Sequence, residues 1–252
     1  MRTGAQLYTV RDYCKDLEGF SETLKKVADI GYEFVQVSGT CPFEAEWLKG
    51  ELAKNGLKCV LTHTNPDAVR NDTAAVIENH KIFGSGLIGI GAMPGGFRDP
   101  DYDAFAAAFK PAAKLIASKG LYFMYHNHQF EFAKDEKGVT GIEKLAEAFS
   151  PEEMGFTVDT YWVQFGGGDP AQWIRNLKGR VPAIHLKDMA IVENKQRMAV
   201  VGEGNINFSR VLYEAENAGT EYLLVEQDDC SGEDPFECLK RSFRRLCSWG
   251  IE

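Results

Sequence analysis

The six cysteines of this chain, at 14, 41, 59, 230, 238 and 247, form no CxxC pair and no repeated interval. That excludes a disulfide framework and a cysteine zinc site, and in a chain large enough to bury its own core they read as reduced thiols. Long hydrophobic runs are also missing. Apolar runs such as those at 57–61 and 121–125 are interrupted well short of the roughly 18 residues that a bilayer span needs. Positive charge is in deficit: 28 Lys and Arg against 37 Asp and Glu leave a formal charge of −9. A polyanion is therefore a poor partner, and nucleic acid is not expected. No glycine-rich phosphate fingerprint follows an early strand, no P-loop is present, and no His-x-x-x-His spacing offers a closed structural zinc site. The amino terminus runs directly into a strand-like pattern without the apolar stretch of a signal peptide, so a cytoplasmic location is the expectation.

What is present is regular alternation. Short β-branched or aromatic runs at 4–9, 33–38, 57–63, 86–92, 121–127, 154–159, 181–186 and 221–226 read as eight strands. Segments of helical period lie between them, near 18–30, 43–54, 71–83, 101–119, 141–149, 170–178, 207–218 and 235–248. Eight units in 252 residues average about 31 residues each, the length of a strand-helix unit with short loops. Such a chain builds a parallel sheet, and eight units close it most simply into an α/β (β/α)8 TIM barrel, one domain over 1–252.

Barrel geometry puts chemistry at the carboxyl ends of the strands, where the following loops converge. Those ends carry His63, then His126-Asn127-His128 with Glu131 beyond, Asp159, His185 with Lys187 and Asp188, and Glu226 with Asp228 and Asp229. Four of the five histidines are among them; His80 falls in a helix. Asp101, Asp169 and Asp234 read as helix N-caps. Asp159 and Glu226 close apolar runs several residues ahead of the next expected helix, where an N-cap role is awkward. Several carboxylates buried in one mouth need a neutralising cation, and one divalent ion (Mn2+, Mg2+, Co2+ or Zn2+) meets that need.

In these segments the sequence resembles the xylose isomerase-like TIM barrel superfamily, in its sugar phosphate isomerase/epimerase branch. The resemblance rests on Tyr125-His-Asn-His-Gln-Phe-Glu131, Val158-Asp159-Thr-Tyr-Trp162, His185-Leu-Lys-Asp188, Val201-Gly-Glu-Gly204 and Val225-Glu226-Gln-Asp228. It implies a metal held by Glu131, Asp159, His185 and Glu226, with His126 or His128 as substitutes for Glu131. It also implies a metal-dependent sugar isomerase or epimerase in which Glu131 and Glu226, with His128, move a proton next to a carbonyl through an enediolate. His63, Asn127, Trp162 and Lys187 would bind a small carbohydrate. Lys187 takes either a substrate oxyanion or a pairing with Asp188 or Glu203, and Gly202-Glu203-Gly204 reads either as a turn near the site or as a plain loop. A dehydratase or lyase acting on a keto-inositol, dehydroshikimate or 3-keto-glycoside is the alternative that shares the first step. Endonuclease IV has the same barrel but needs more histidines and a basic groove, and a barrel that only binds sugar is the non-enzymatic alternative. A homo-oligomer is the default for such enzymes, though no surface feature demonstrates one.

Overall fold

Alternation along each strand decides what the barrel holds. In the computed structural model, which describes residues 1–251, strands β1 (Arg2–Gln6), β2 (Phe34–Val37), β3 (Lys58–His63), β4 (Leu87–Ile90), β5 (Tyr122–His126), β6 (Met154–Asp159), β7 (Ala183–Leu186) and β10 (Tyr222–Val225) close into a parallel barrel in the order β1-β10-β7-β6-β5-β4-β3-β2. Val35, Val37, Phe123, Tyr125, Ile184 and Leu186 face outward into the main core under the helices. Phe34, Leu61, Met124, Ala183 and Leu224, with Val60, form a separate apolar plug. Because side chains alternate with period two, the next inward position on each of those strands is Gln36, His63, His126, His185 and, just past β10, Glu226. Asp159 pairs directly with His185 across β6 and β7, which brings the two side by side. The inner surface thus turns from apolar to polar toward the carboxyl ends.

The helices α1 (Leu17–Ile30), α2 (Ala45–Lys54), α3 (Pro66–Asn71), α4 (Thr73–Phe83), α5 (Tyr102–Ser118), α6 (Gly141–Ala148), α7 (Thr160–Phe165), α8 (Pro170–Asn176), α9 (Phe208–Ala218) and α10 (Pro235–Ser248) surround the barrel. Helix α1 shows why a segment folds as it does. Asp16 accepts the Gly19 N–H at 2.8 Å to cap its start, and Phe20, Leu24 and Val27 bury one face. Gly31, at φ +122°, ends it where a Cβ would meet Phe243 at 2.6 Å. The expected caps Asp101, Asp169 and Asp234 each accept a backbone N–H at the start of α5, α8 and α10.

Two local expectations are corrected, and one hairpin was not anticipated. The first strand covers 2–6 rather than 4–9, because residues 7–13 coil into 3-10 turns capped by the Gln6 side chain, which accepts the Tyr8 N–H at 3.1 Å. Between β7 and α9 a hairpin, β8 (Asp188–Val192) and β9 (Lys195–Ala199), turns at Glu193 and Asn194 with φ +51° and +61°. Helix α7 starts directly after Asp159, so Asp159 is an N-cap after all: its Oδ1 accepts the Trp162 N–H at 2.9 Å.

His80, on α4, is buried between Thr62 Oγ1 (2.8 Å from Nε2) and Val76 O (2.7 Å from Nδ1). Burial lowers its pKa to about 4. The unfolded chain, with an ordinary histidine near 6.5, takes up this proton first. The ring's contribution to stability is therefore complete above about pH 6.5 and is lost as pH falls toward 4, about 3 kcal/mol in all. An NMR titration of His80 should show its midpoint near pH 4; a midpoint near 6.5 would refute this reading.

Candidate functional site

At the carboxyl end of the barrel, His126, Asp159, His185 and Glu226 each offer one donor atom, and these atoms all lie within 4.8 Å of one another. All four side chains are buried. His126 Nε2 is 3.2 Å and His185 Nδ1 3.6 Å from Asp159 Oδ2, while His185 Nδ1 is 2.8 Å from Glu226 Oε2. The other ring nitrogens are spoken for. His126 Nδ1 donates to Gly91 O at 2.8 Å, and His185 Nε2 donates to Gln36 Oε1 at 2.6 Å. Those bonds leave His126 Nε2 and His185 Nδ1 turned toward the carboxylates.

Lys187 enters the same space. Its Nζ is 3.0 Å from Asp159 Oδ2, 2.8 Å from Glu226 Oε2 and 3.0 Å from Asp228 Oδ1, and it is buried. Burial opposes charge on Asp159 and Glu226, but Lys187, the imidazoles beside Asp159 and the His185 ring beside Glu226 hold both well below the usual carboxylate range. His185 also resists burial: Glu226 and then Asp159 hold it up to about 9 without a metal. Asp228 is pushed up to about 7, by desolvation first and by Glu226 second.

A divalent cation fits this donor set. Two imidazoles and two carboxylates suit a borderline transition metal, and the buried His185 Nδ1, although 2.8 Å from Glu226 Oε2, makes no well-directed hydrogen bond to it. Charge closes as well: Asp159 and Glu226 balance a dication, and Asp228 balances Lys187.

Glu131 is not brought to this cluster. Tyr125 and His126 are neighbours on β5 and point to opposite faces. Glu131 follows Tyr125, taking its hydroxyl on Oε1 at 2.7 Å and the His128 N–H on Oε2 at 2.9 Å. It lies fully buried outside the mouth, its pKa raised by burial to about 7, and His126 stands where its carboxylate was expected.

Of the other expected residues, His63, His128, Trp162 and Lys187 line a 410 Å3 cavity over the cluster, together with Tyr8, Phe97 and Asp228. Burial, ahead of repulsion from His126, lowers the His128 pKa to about 2, so its ring is neutral. Asn127 does not line that cavity; its Oδ1 is taken by the Asp159 N–H at 3.0 Å, tying β5 to β6. Lys187 pairs with neither Asp188 nor Glu203. The Asp188 carboxylate instead accepts four backbone N–H groups, those of Met189, Gly202, Gly204 and Ile206, at 2.7 to 3.2 Å. The Gly202-Glu203-Gly204 turn is therefore held by Asp188, and a Cβ on Gly204 would meet that carboxylate at 2.4 Å. Gln36 was not anticipated, although a lone glutamine in the apolar run Phe34-Val-Gln-Val is a readable signal.

Comparison with known proteins adds an independent line. The chain is 26% identical over 158 residues to an inosose dehydratase of Geobacillus thermodenitrificans, an alignment covering 56% of this chain and 52% of that protein. It thus spans about half the length of the curated relatives it matches. Among solved structures, a sugar phosphate isomerase/epimerase from Parabacteroides distasonis superposes with TM-score 0.80 at 21% identity, over 97% of this chain and 93% of the other. An L-ribulose 3-epimerase superposes with TM-score 0.75 at 14% identity, over 99% and 94%. At those identities the superpositions speak for the barrel alone. A sequence match along most of the length goes further: residues 24–247 fit the family described as xylose isomerase-like TIM barrel, and the chain belongs to that family.

Proposed function

We propose that this protein is a divalent-metal-dependent lyase that dehydrates a keto-cyclitol or keto-sugar, with Asp159, Glu226, His126 and His185 as the metal ligands. One observation carries the choice of elimination over epimerisation: Lys187 Nζ is buried 2.8 Å from Glu226 while Glu131 is turned away. Inverting a carbon requires a second base on the opposite face of the substrate, and Glu131 does not reach it. Elimination requires a base and an acid on one site, and Glu226 and Lys187 are that pair. The inosose dehydratases among its relatives support the same reading.

When bound, the cation would polarise the substrate carbonyl and acidify the neighbouring C–H. Glu226 accepts that proton. The electron pair of the C–H bond becomes the new carbon-carbon double bond as the hydroxyl on the next carbon departs, and Lys187 gives that hydroxyl the proton that makes it water. Asp228 keeps Lys187 charged until that moment. Trp162 lies 5.6 Å from Lys187 Nζ and offers its ring as a floor for the substrate.

The direct test is to incubate protein loaded with Mn2+, Co2+ or Zn2+ with 2-keto-myo-inositol and with 3-keto-glucose, and to look for a product lighter by one water. Recovery of an epimer without water loss would reject the lyase assignment, and absence of both reactions and of solvent-deuterium uptake would reject enolisation altogether.

Gln36→Leu tests the ligand set without turnover. The leucine fills the same space but releases His185 Nε2, so the ring is no longer held with Nδ1 toward the site. Metal affinity, followed by the Co2+ absorption spectrum, should fall about 10- to 100-fold. Unchanged affinity and spectrum would remove His185 Nδ1 from the proposed ligands.

A further inference from the structure

We infer that the site has a second compartment, which receives an uncharged, aryl-sized substituent joined to the reacting ring through an oxygen held by His63. The inference rests on the keto-sugar reading above for the ring and on a separate cavity for the substituent. That cavity, of 640 Å3, opens between the loops after β2 and β3 and the helices α2 and α4. Val37, Pro42, Phe43, Ala68, Val76 and Phe83 give it apolar walls, and no Asp, Glu, Lys or Arg lines it. Its polar groups largely satisfy one another: Thr62 Oγ1 lies 2.7 Å from Thr64 Oγ1 and 2.8 Å from His80 Nε2. Nothing there would neutralise a phosphate, so what the walls offer is apolar contact.

The two cavities meet at one pair of residues. Ser38 and His63 line both, and Ser38 Oγ lies 3.1 Å from His63 Nδ1. His63 Nε2 is buried and has no partner. With the Ser38 hydroxyl donating to Nδ1, Nε2 carries the ring hydrogen, a buried donor on a residue that both cavities share. A buried donor left unpaired costs stability, and the substituent's linking oxygen is the acceptor it lacks. The mouth, by contrast, holds Lys187, Glu226 and Asp228 and takes the polar ring.

The test compares methyl β-D-glucopyranoside, phenyl β-D-glucopyranoside and free phenol by calorimetry, with the metal-loaded protein and its Ala68→Phe variant. The phenyl glucoside should bind wild type about tenfold tighter than the methyl glucoside or better. Ala68→Phe, which fills the compartment, should erase that difference and leave methyl glucoside binding unchanged. Asn79→Trp, from the α4 wall, should do the same, so that a misfolded Ala68→Phe protein does not decide the matter. If the methyl glucoside binds and the phenyl group adds nothing, the compartment falls while the sugar reading stands. If neither glucoside binds but phenol binds wild type and neither variant, the compartment stands and the sugar reading falls. Failure of all three ligands, or equal phenyl binding by wild type and both variants, overturns the inference.

Discussion

Lys187→Met should lower dehydration by roughly 10²- to 10⁴-fold, the usual contribution of a positioned acid, while metal-loaded protein goes on exchanging the substrate's C–H proton with deuterated solvent. The split follows from geometry. On the proposed mechanism Glu226, assigned to the carbon proton, survives the substitution, whereas Nζ, assigned to the departing hydroxyl, does not. A structural lysine would lower both rates together, so equal loss of exchange and dehydration would sink the assignment. The same variant has a second readout. In the metal-free protein the ammonium lies 3.0 Å from Asp159, 2.8 Å from Glu226 and 3.0 Å from Asp228, and it is the only lysine or arginine within ion-pair distance of any of the three among the described residues. Methionine leaves the three carboxyl groups with only the His126 and His185 rings beside Asp159 and Glu226. Metal-free Lys187→Met should be less stable in urea by about 3–5 kcal/mol, the scale for breaking a buried pair. On the proposed ligand set a dication between Asp159 and Glu226 would restore the balance, so Mn2+ should stabilise the variant by more than it stabilises wild type.

Much of the barrel is readable because parallel strands buried on both faces appear as short apolar runs, and the helices between them carry a 3.6-residue stripe. The strand at 154–159 and the helix at 235–248 coincide with the expected bounds. The polar residues of the mouth are readable for the same reason, since Asp159, His185 and Glu226 interrupt or close those runs and the strand ends must converge. What the sequence hides is the path of the chain just after a strand. Glu131 stands five residues beyond His126, and nothing in its spacing tells whether it turns toward the mouth or toward the helices; the Tyr125 hydroxyl decides that. Helix α7 is six residues long, too short to show a stripe, so the capping role of Asp159 is invisible until the fold is seen. The β8–β9 turn uses Glu193 and Asn194 without a glycine, which removes the usual hairpin signal.

The pair Lys187-Asp188 divides between the barrel mouth and the scaffold, and it yields the second large effect. The two side chains leave the backbone in different directions, Lys187 to the carboxylates of the mouth and Asp188 to the amides of the 202–206 loop. Four N–H groups are accepted by one carboxylate, itself 1% exposed. No cation pairs with Asp188 among the described residues, so these amides alone offset the burial of its charge, and burial still pushes its pKa up. Asp188→Ala removes all four acceptors at once. Each buried donor left unpaired costs about 1–3 kcal/mol, reduced wherever the loop opens to water, so the expected loss is roughly 3–5 kcal/mol by urea unfolding. Opening should begin locally. Hydrogen exchange at Gly202, Gly204 and Ile206 should accelerate before that of the β7 amides, because the β7 amides belong to the closed barrel and the loop depends on Asp188. Asp188→Asn, which keeps one acceptor oxygen and turns the other into a donor, should fall between wild type and alanine. If Asp188→Ala unfolds within 0.5 kcal/mol of wild type, the roughly neutral range for surface substitutions, the carboxylate is not what holds the loop and its four bonds are incidental.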